Sequence, residues 1–178
     1  MGNSASQREI VQLVEAHYEP LYRYAFRLSG TASDADDLTQ EAFCKAQTQF
    51  SQLRDPSRAK PWLFSILRNV YLHRLRAERQ QRQISLDAVG DIADPSSGSD
   101  DLPDIDPQQL QEALNDLPEG FRTPIILFYF EDFSYREIAD QMELPIGTVM
   151  SRLARAKGFL RQQLEPKQPP LTQNTGRA

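Results

Sequence analysis

The stretch SYREIADQMELPIGTVMSRLARAKGFLR, residues 134–161, decides the fold predicted for this chain. Ser134 followed by Glu137 has the spacing of a capping box at the start of a helix. Pro145 and Gly147 both oppose continuation of that helix, so the pattern predicts a tight turn there. A longer basic helix follows. This order is typical of a helix-turn-helix, whose second helix can enter the major groove of DNA.

The second helix of this motif is predicted to have two different faces. Apolar residues repeat at helical spacing, at Val149, Leu153, Ala156, Leu160 and Leu164. The outward face and its flanks carry groups that can donate to phosphates and base edges: Thr148, Ser151, Arg152, Arg155, Lys157 and Arg161. A solvated basic helix that closes an ordinary bundle is the alternative for this helix alone. The capped helix and the turn before it favour DNA binding.

Charge is distributed unevenly along the 178 residues, which carry a formal net charge of -5. Residues 60–82 hold six basic residues and one acidic residue. Residues 83–107 hold seven aspartates and neither lysine nor arginine. Because the distribution of charge matters more than its sum, a net negative charge does not exclude a protein that binds nucleic acid.

Several classes of site are excluded by residue type. Cys44 is the only cysteine, so an internal disulfide and a cysteine-cluster zinc site are ruled out; it is predicted to be a small core residue. His17 and His73 lie far apart, with no carboxylate at metal-ligand spacing. No catalytic constellation is found, so the sequence predicts a protein that is not an enzyme and has no metal and no cofactor. Without a signal peptide or a long apolar run, it is expected to be soluble and cytoplasmic, with no membrane insertion.

The sequence predicts an all-α protein with two small helical domains joined by a flexible acidic linker, the second domain ending in the helix-turn-helix. The first domain is predicted to span residues 8–82 and the second residues 108–164. The linker, residues 83–107, has too few large apolar groups to fold alone. The tail, residues 165–178, is expected to be disordered.

Three helices are predicted in the first domain. Pro20 is expected to kink or break the first helix. Ser33 is a candidate cap for the second helix. Residues 53–60 are predicted to form a loop, and Pro61 suits the first turn of the third helix, which runs to about Arg82.

The third helix carries a second set of candidate DNA contacts. Arg68, Arg76, Arg79 and Arg82 fall within one sector of the helical wheel, with Asn69 and His73 at its edge and Trp62 at its start. Basic groups attract phosphates, and an aromatic ring beside a loop can hold bases that have left the stack. The set therefore suits single-stranded or opened DNA. The alternative is a solvated basic face with Trp62 in the core.

Four segments together resemble the bacterial extracytoplasmic-function sigma factors, the compact two-domain branch of the sigma-70 type. They are YEPLYRYAFRL (18–28), DADDLTQEAFCKAQTQF (34–50), PWLFSILRNVYLHRLR (61–76) and residues 117–164. The resemblance implies a sigma factor that directs core RNA polymerase to specific promoters and initiates transcription. It also implies an anti-sigma factor as a further partner.

The resemblance implies a role for each domain. The first would bind the clamp helices of the polymerase's largest subunit around Asp37, Gln40 and Glu41. From the sequence alone, a solvated acidic first turn is the better explanation of Asp37 and Glu41. The first domain would also open the minus-ten element, through the loop 53–60 and the third helix. The matching positions there are Trp62, Arg68, Asn69, His73, Arg76 and Arg79. The second domain would place the helix from Thr148 in the minus-thirty-five major groove and contact the flap of the second-largest subunit.

Two positions depart from the family pattern. Many members have Asp where this chain has His73, and Lys where it has Met150. Met150 removes one candidate phosphate contact and offers an apolar surface to a thymine methyl group. The promoter preference of this chain is therefore not carried over from the family.

Two other functions explain part of the sequence. A dimeric helix-turn-helix regulator acting without polymerase would account for residues 134–161 and leave DADDLTQEAF and the third helix unexplained. A helical adaptor that sequesters a regulator would use its basic helices for acidic partners. The chain lacks an obvious dimer stripe, so it is not expected to be an obligate homo-oligomer.

Overall fold

The computed structural model describes residues 2–81 and 106–164, and every regular element in these two segments is helical. The N-terminal group comprises α1 (Gly2–Ser29), α2 (Ala32–Thr48) and α3 (Ala59–Gln81). The C-terminal group comprises α4 (Pro107–Asp116), α5 (Glu119–Tyr129), α6 (Tyr135–Met142) and α7 (Ile146–Leu164). The predicted all-α fold is confirmed.

The segment between α2 and α3 contains two single 3-10 turns, Phe50–Gln52 and Pro56–Arg58. The second of them lies within residues 53–60, which were predicted to form a loop, and the first lies before that loop. The predicted acidic linker, residues 83–107, lies outside the described residues apart from its last two. The predicted disordered tail, residues 165–178, and Arg82 also lie outside them.

The N-terminal group buries the apolar sides of α1, α2 and α3 against one another. Its fully buried side chains include Leu21, Tyr24, Leu28, Leu38, Leu63 and Phe64. The rings of Tyr24 and Phe64 stack with their centres 4.8 Å apart. The Tyr71 hydroxyl of α3 donates to the Leu28 carbonyl at the end of α1, at 2.9 Å. Removing one such leucine side chain from water contributes about 1.5–3 kcal/mol, so this core fixes the positions of the three helices.

The first helix continues through Pro20, so the break proposed as one outcome there does not occur. Proline lacks the amide that would donate to the carbonyl four residues earlier, which weakens a helix locally. The turns that follow bury Leu21, Tyr24 and Leu28 completely. Tertiary packing therefore outweighs the local cost of Pro20, as it commonly does in helices with one buried face.

Two further sequence predictions for α2 are wrong. The helix is capped by Thr31, not by Ser33: the Asp34 amide donates to Thr31 Oγ1 at 3.2 Å. Cys44, predicted to be a core residue, is exposed. It lies two positions after buried Ala42, which places it about 200° around the helix from that residue and so on the side away from the core.

The C-terminal group continues the same hydrophobic core. Its buried side chains come from all four helices and include Leu114, Ile126, Leu127, Ile138, Val149 and Leu160. Arg122 of α5 fastens the turn between α4 and α5, since its guanidinium donates to the Asn115 and Leu117 carbonyls at 2.5 and 2.8 Å.

The two groups pack directly on each other. The rings of Phe64 (α3) and Phe133 (the loop before α6) lie 5.2 Å apart. The Arg27 guanidinium of α1 lies 4.2 Å from the centre of the Phe130 ring. Arg122 Nη1 donates across the boundary to the Leu28 carbonyl at 2.8 Å. Aromatic, cation–π and hydrogen-bond contacts therefore all join the two groups. Whether each group folds alone stays a prediction.

Glu131 is a buried carboxyl group at this boundary, with 2% of its surface exposed. None of the described residues forms a hydrogen bond with its Oε1 atom. Burial raises the pKa of Glu131 to about 7, against the opposing effect of nearby Lys60, Arg23 and Arg27 and with a smaller contribution from Asp132. Between about pH 4.5 and pH 7, the folded protein therefore holds a proton on Glu131 that the unfolded chain, with a pKa near 4.5, has released.

This difference in pKa predicts a dependence of stability on pH. A raised carboxyl pKa stabilises the folded state fully below about pH 4.5, and the stabilisation is lost as the pH rises to about 7. Glu131→Gln keeps the shape of the side chain and cannot ionise. We expect the free energy of unfolding of the variant, minus that of the original protein, to rise by about 1–3 kcal/mol between pH 5 and pH 8.

Denaturant unfolding followed by circular dichroism at each pH measures this difference. Glu112→Gln, at an exposed position on α4, is the matched control and should shift the pH profile little. Parallel pH profiles for Glu131→Gln and the original protein would show that Glu131 is ionised in the folded state.

Candidate nucleic-acid interfaces

The helix-turn-helix predicted from residues 134–161 is formed by α6 and α7. The Ser134 amide donates to Glu137 Oε2 at 2.9 Å, and the Glu137 amide donates to Ser134 Oγ at 3.3 Å, which confirms the capping box. The Ser134 hydroxyl also donates to Glu137 Oε2, at 2.7 Å, and this bond together with the one from the Ser134 amide holds the pKa of Glu137 below its usual range. Glu143 ends α6 with φ of 55°, in the left-handed region, and the Leu144 amide then returns to the Ala139 carbonyl at 3.0 Å.

The buried face of α7 agrees with its predicted apolar stripe. Val149, Leu153, Ala156 and Leu160 are buried, and Leu164 is half-buried. Because one side of the helix is fixed in the core, the opposite side is held outward in one rotational setting.

The predicted minus-thirty-five residues are distributed around the rest of α7. Ser151 is exposed, whereas Thr148, Arg155, Lys157 and Arg161 are half-buried. At the start of the helix, Ile146 and Met150 are 44% and 51% exposed. The outer surface thus combines hydroxyl, basic and apolar groups, which suits contact with both phosphates and base edges.

Arg152 is turned toward the protein. Its Nη1 donates to the Gly120 carbonyl at 3.2 Å, and its guanidinium lies 6.0 Å from the centre of the Phe121 ring. In this structure Arg152 therefore ties α7 to the start of α5.

Trp62, at the start of α3, lines a cleft of about 590 Å³. The cleft has one wall from the N-terminal group and one from the C-terminal group. The first wall includes Leu53, Arg54, Asp55 and Arg58 beside Trp62, and the second consists of Glu137, Asp140 and Gln141 of α6. The loop predicted to hold an unstacked base does lie beside Trp62, and α6 faces it.

Arg68, one turn and a half along α3 from Trp62, is also in contact with the C-terminal group. Its Nε lies 3.6 Å from Glu119 Oε1, and its Nη1 donates to the Gln141 carbonyl at 3.4 Å. The Arg68 and Glu119 side chains are only 15% and 20% exposed. The Arg68 guanidinium, which was predicted to attract DNA, is therefore already engaged in a partly desolvated ion pair with Glu119.

The remaining predicted minus-ten residues lie further along α3. Asn69, His73 and Arg76 are exposed along α3. Arg79 lies on α3, and its side chain is outside the described part of the structure. The predicted set is therefore split between a covered part, Trp62 and Arg68, and an open part.

The three predicted polymerase contacts lie on α2. Asp37 and Gln40 are exposed, whereas Glu41 is half-buried. Glu41 Oε2 accepts from Arg74 Nη2 of α3 at 2.8 Å, and its other carboxylate oxygen lies 3.2 Å from Lys45 Nζ. The hydrogen bond from Arg74 is the main cause that lowers the pKa of Glu41. Glu41 thus joins α2 to α3, and Asp37 and Gln40 form the open part of this set.

Residues 2–81 and 106–164 contain neither a metal-binding cluster nor a membrane-spanning helix. No group of three or more His, Cys, Asp or Glu side chains there could hold a metal ion. None of the helices described is long and apolar enough to cross a membrane.

The residues of α5 and α6 that face Trp62 and Arg68 were missed by the sequence analysis. Glu119, Glu137, Asp140 and Gln141 lie more than fifty positions after Trp62 and Arg68 in the chain, and no spacing rule relates the two segments. The capping role of Glu137 was visible in the sequence, but its position opposite Trp62 depends on how the two helical groups pack.

Comparison with known proteins gives two family matches. Residues 13–81 match the family model of sigma-70 region 2. Residues 107–160 match the family model of sigma-70 region 4.

Several curated proteins are similar over most of the chain. Sigma factor SigV of Bacillus subtilis is 33% identical over 156 residues, which cover 87% of this chain and 90% of that protein. The extracytoplasmic-function (ECF) sigma factor SigW of the same organism is 26% identical over 168 residues, covering 89% and 90%. ECF sigma factor SigE of Mycolicibacterium smegmatis is 33% identical over 169 residues, which cover 92% of this chain and 64% of that longer protein.

Two solved structures are similar in fold. The sigma factor RpoE of Bartonella quintana, in complex with the anti-sigma factor NepR, is 30% identical with a TM-score of 0.69, covering 91% of this chain and 98% of that one. CnrH, in complex with the cytosolic domain of CnrY, is 26% identical with a TM-score of 0.66, covering 94% and 92%.

Proposed function

This chain belongs to the sigma-70 family of RNA polymerase sigma factors, in its extracytoplasmic-function branch, and we propose that it contacts promoters through two separate surfaces. As a sigma factor it directs core RNA polymerase to promoters and initiates transcription. The observation that supports two surfaces is that a capped helix-turn-helix and a basic helix with a tryptophan cleft occur in different helical groups. We propose that residues 8–82 and residues 108–164 act as two domains joined by an acidic linker.

The outer face of α7 is proposed to contact the minus-thirty-five element. Thr148, Ser151 and Arg155 lie on or beside the side of the helix that is away from the core, as base contact requires. Lys157 and Arg161 lie further along the helix and are proposed to contact phosphates. Arg152 joins this surface only if it leaves the Gly120 carbonyl.

The minus-ten element is proposed to bind α3 and the segment before it. The Trp62 cleft suits a base that has left the stack, since an aromatic ring stacks on any base. Arg68, Asn69, His73, Arg76 and Arg79 follow along α3 and supply donors for the strand. His73 and Met150 are the two proposed sites at which promoter preference differs from that of relatives.

The partners of this chain are proposed from its charges and from its relatives. Asp37 and Gln40, with Glu41 beside them, are proposed to contact the clamp helices of core polymerase, and the C-terminal group the flap. RpoE of Bartonella quintana is held by an anti-sigma factor, and we propose an anti-sigma partner for this chain as well. The proposed location is the cytoplasm, where core polymerase acts. The chain acts as an initiation factor and is not proposed to have catalytic activity of its own.

Run-off transcription on a library of promoters tests the function. We expect specific transcripts only when this chain and core polymerase are both present. The free chain should bind duplex DNA weakly, because its net charge is -5 and seven aspartates lie between residues 83 and 107. Tight, sequence-specific binding by a free homodimer, with no effect on core polymerase, would instead indicate an ordinary regulator.

Reversal of charge at Asp37 tests the polymerase contact. Asp37→Lys should weaken assembly with core polymerase by about tenfold or more, because it places like charges together at the interface. Asp36→Lys is the control, since it makes the same change at the neighbouring exposed position, rotated around α2. Glu41 is left intact because it also bonds to Arg74. Titration of the labelled chain with core polymerase measures the affinity of each variant. Equal effects of the two substitutions would show that Asp37 is not a specific polymerase contact.

Two substitutions in α7 separate base contact from phosphate contact. Arg155→Ala should cost about 1–3 kcal/mol and relax preference at one or two minus-thirty-five positions. Lys157→Ala should weaken all promoters similarly and lower the salt slope by about one. Transcription from the promoter library at two salt concentrations measures both. If Arg155→Ala lowers transcription from every promoter by the same factor, Ser151 and Thr148 become the candidates for base contact.

A further inference from the structure

The cleft beside Trp62 has two walls of different charge. Its volume is about 590 Å³, within the range of roughly 300–1,000 Å³ that is typical of small-molecule sites. Arg54 and Arg58, in the segment before α3, line the wall that includes Trp62. Glu137 and Asp140 line the wall that α6 provides. A flat aromatic ring, two cations and two carboxylates therefore share one cleft.

Three of these charged groups have no hydrogen-bond partner within the part of the protein that the structure describes. None of the described residues forms a hydrogen bond or an ion pair with the guanidinium groups of Arg54 and Arg58 or with the carboxylate of Asp140. All three side chains are exposed. Glu137, in contrast, is used by the cap of α6, where it accepts from Ser134. Two cations on one wall and Asp140 on the other can therefore bind a ligand.

The wall from α6 also includes Gln141, whose side-chain amide lacks partners. Its Nε2 and Oε1 atoms are both buried, and neither forms a hydrogen bond with a described residue. A buried amide without partners costs free energy, so a ligand that supplied them would be favoured. A glutamine amide offers a donor beside an acceptor, and the N7 and N6 edge of adenine offers the matching acceptor and donor. When it turns into the cleft, this amide therefore fits adenine best.

A free ribonucleotide has the groups that this cleft would bind. Its base can stack on an aromatic ring such as the indole of Trp62. Its phosphates suit guanidinium groups, which bind them through paired hydrogen bonds. Its ribose carries hydroxyls that donate to carboxylates in nucleotide-binding proteins. The phosphates and the ribose hydroxyls lie on different sides of the nucleotide, as the arginines and Asp140 lie on different walls of the cleft.

We propose that the Trp62 cleft is a binding site for a phosphorylated adenine ribonucleotide. The base stacks on Trp62 and meets Gln141. The phosphates bind Arg54 and Arg58, and the ribose hydroxyls donate to Asp140. The site goes beyond the proposed function, since a nucleotide would bind here without promoter DNA and without polymerase.

The same base and phosphate chemistry could come from a nucleotide within a DNA strand. The 2′-hydroxyl separates the two sources, because DNA lacks it. Calorimetric titration of the full-length chain with ADP, 2′-deoxy-ADP and a short oligodeoxyadenylate therefore tests the site. ADP should bind with a Kd below about 1 mM. The 2′-deoxy compound should bind about tenfold more weakly, because it loses a hydrogen bond to a charged group.

Two further measurements on the original chain place the ligand. Adenosine lacks phosphate, so it should bind about tenfold more weakly than ADP, and only the affinity for ADP should fall as salt is raised. Trp62 is the only tryptophan in the chain. Its fluorescence should therefore change when ADP binds, because the base stacks on the ring.

Two substitutions assign the phosphate and ribose contacts. Arg58→Gln should weaken binding of ADP by about five- to tenfold and leave that of adenosine unchanged. Asp140→Ala should remove the difference in affinity between ADP and 2′-deoxy-ADP. Their ratio is the quantity compared, because loss of a negative charge affects both ligands alike. Arg8→Gln and Asp116→Ala, at exposed positions outside the cleft, are the matched controls and should change neither ratio.

The proposal is overturned if ADP does not bind, or if it binds without a change in the fluorescence of Trp62. Equal affinities for ADP and 2′-deoxy-ADP also overturn it, and tighter binding of the oligodeoxyadenylate would then assign the cleft to a DNA strand. A ratio that survives Asp140→Ala would place the ribose elsewhere and overturn the assignment of this wall.

Run-off transcription with core polymerase distinguishes these results from failure of the proposed function. If the chain drives promoter-specific transcripts and does not bind ADP, the function stands and the nucleotide site is wrong. If the chain binds ADP as expected and supports no transcripts, the nucleotide site stands and the sigma-factor role is wrong.

Discussion

The carbonyl groups at the end of α1 hold the two halves of this protein together. The last carbonyls of any helix lack intrahelical partners and need others. The Leu28 carbonyl accepts from Tyr71 of α3 and from Arg122 of α5, at 2.9 and 2.8 Å. The Arg27 carbonyl accepts from Gln111 of α4. A single helix end thus fixes α3 on one side and the α4–α5 turn on the other, and the arrangement of both helical groups depends on it.

This arrangement places Arg68, which is proposed to contact DNA, against an acidic side chain of the protein itself. Among the described residues, Glu119 across the boundary is the one acidic group within ion-pair distance of Arg68. Because both side chains are mostly desolvated, the pair gains less from attraction than it loses in hydration unless its geometry is good. At 3.6 Å, with no hydrogen bond from Nε, the geometry is poor. Such a pair gives specificity to the packing of the two groups and adds little stability.

Local chemistry made the helix-turn-helix predictable. The capping box of Ser134 and Glu137 and the stripe that includes Val149 and Leu160 depend only on residues within one or two turns. The errors were also local and arose from competing signals. Thr31 and Ser33 are both capping residues, and the partner three positions on, Asp34, decides for Thr31. In the first helix, the sequence pattern did not show that burial of the turns after Pro20 outweighs the local cost of the proline.

The contacts between the two groups could not be predicted, because each joins segments whose spacing in the sequence has no structural meaning. Glu131 illustrates the difficulty: it follows an aromatic run, and nothing in the neighbouring sequence indicates that its carboxyl group is buried beside Lys60. Burial of an ionisable group costs free energy and is tolerated where the group can lose its charge. The position of the acidic side chains of α6 opposite Trp62 was likewise not predictable from the sequence. Glu137 fulfils a local role as a cap, which the sequence shows, and a second role across the cleft, which only the packing of the two groups creates.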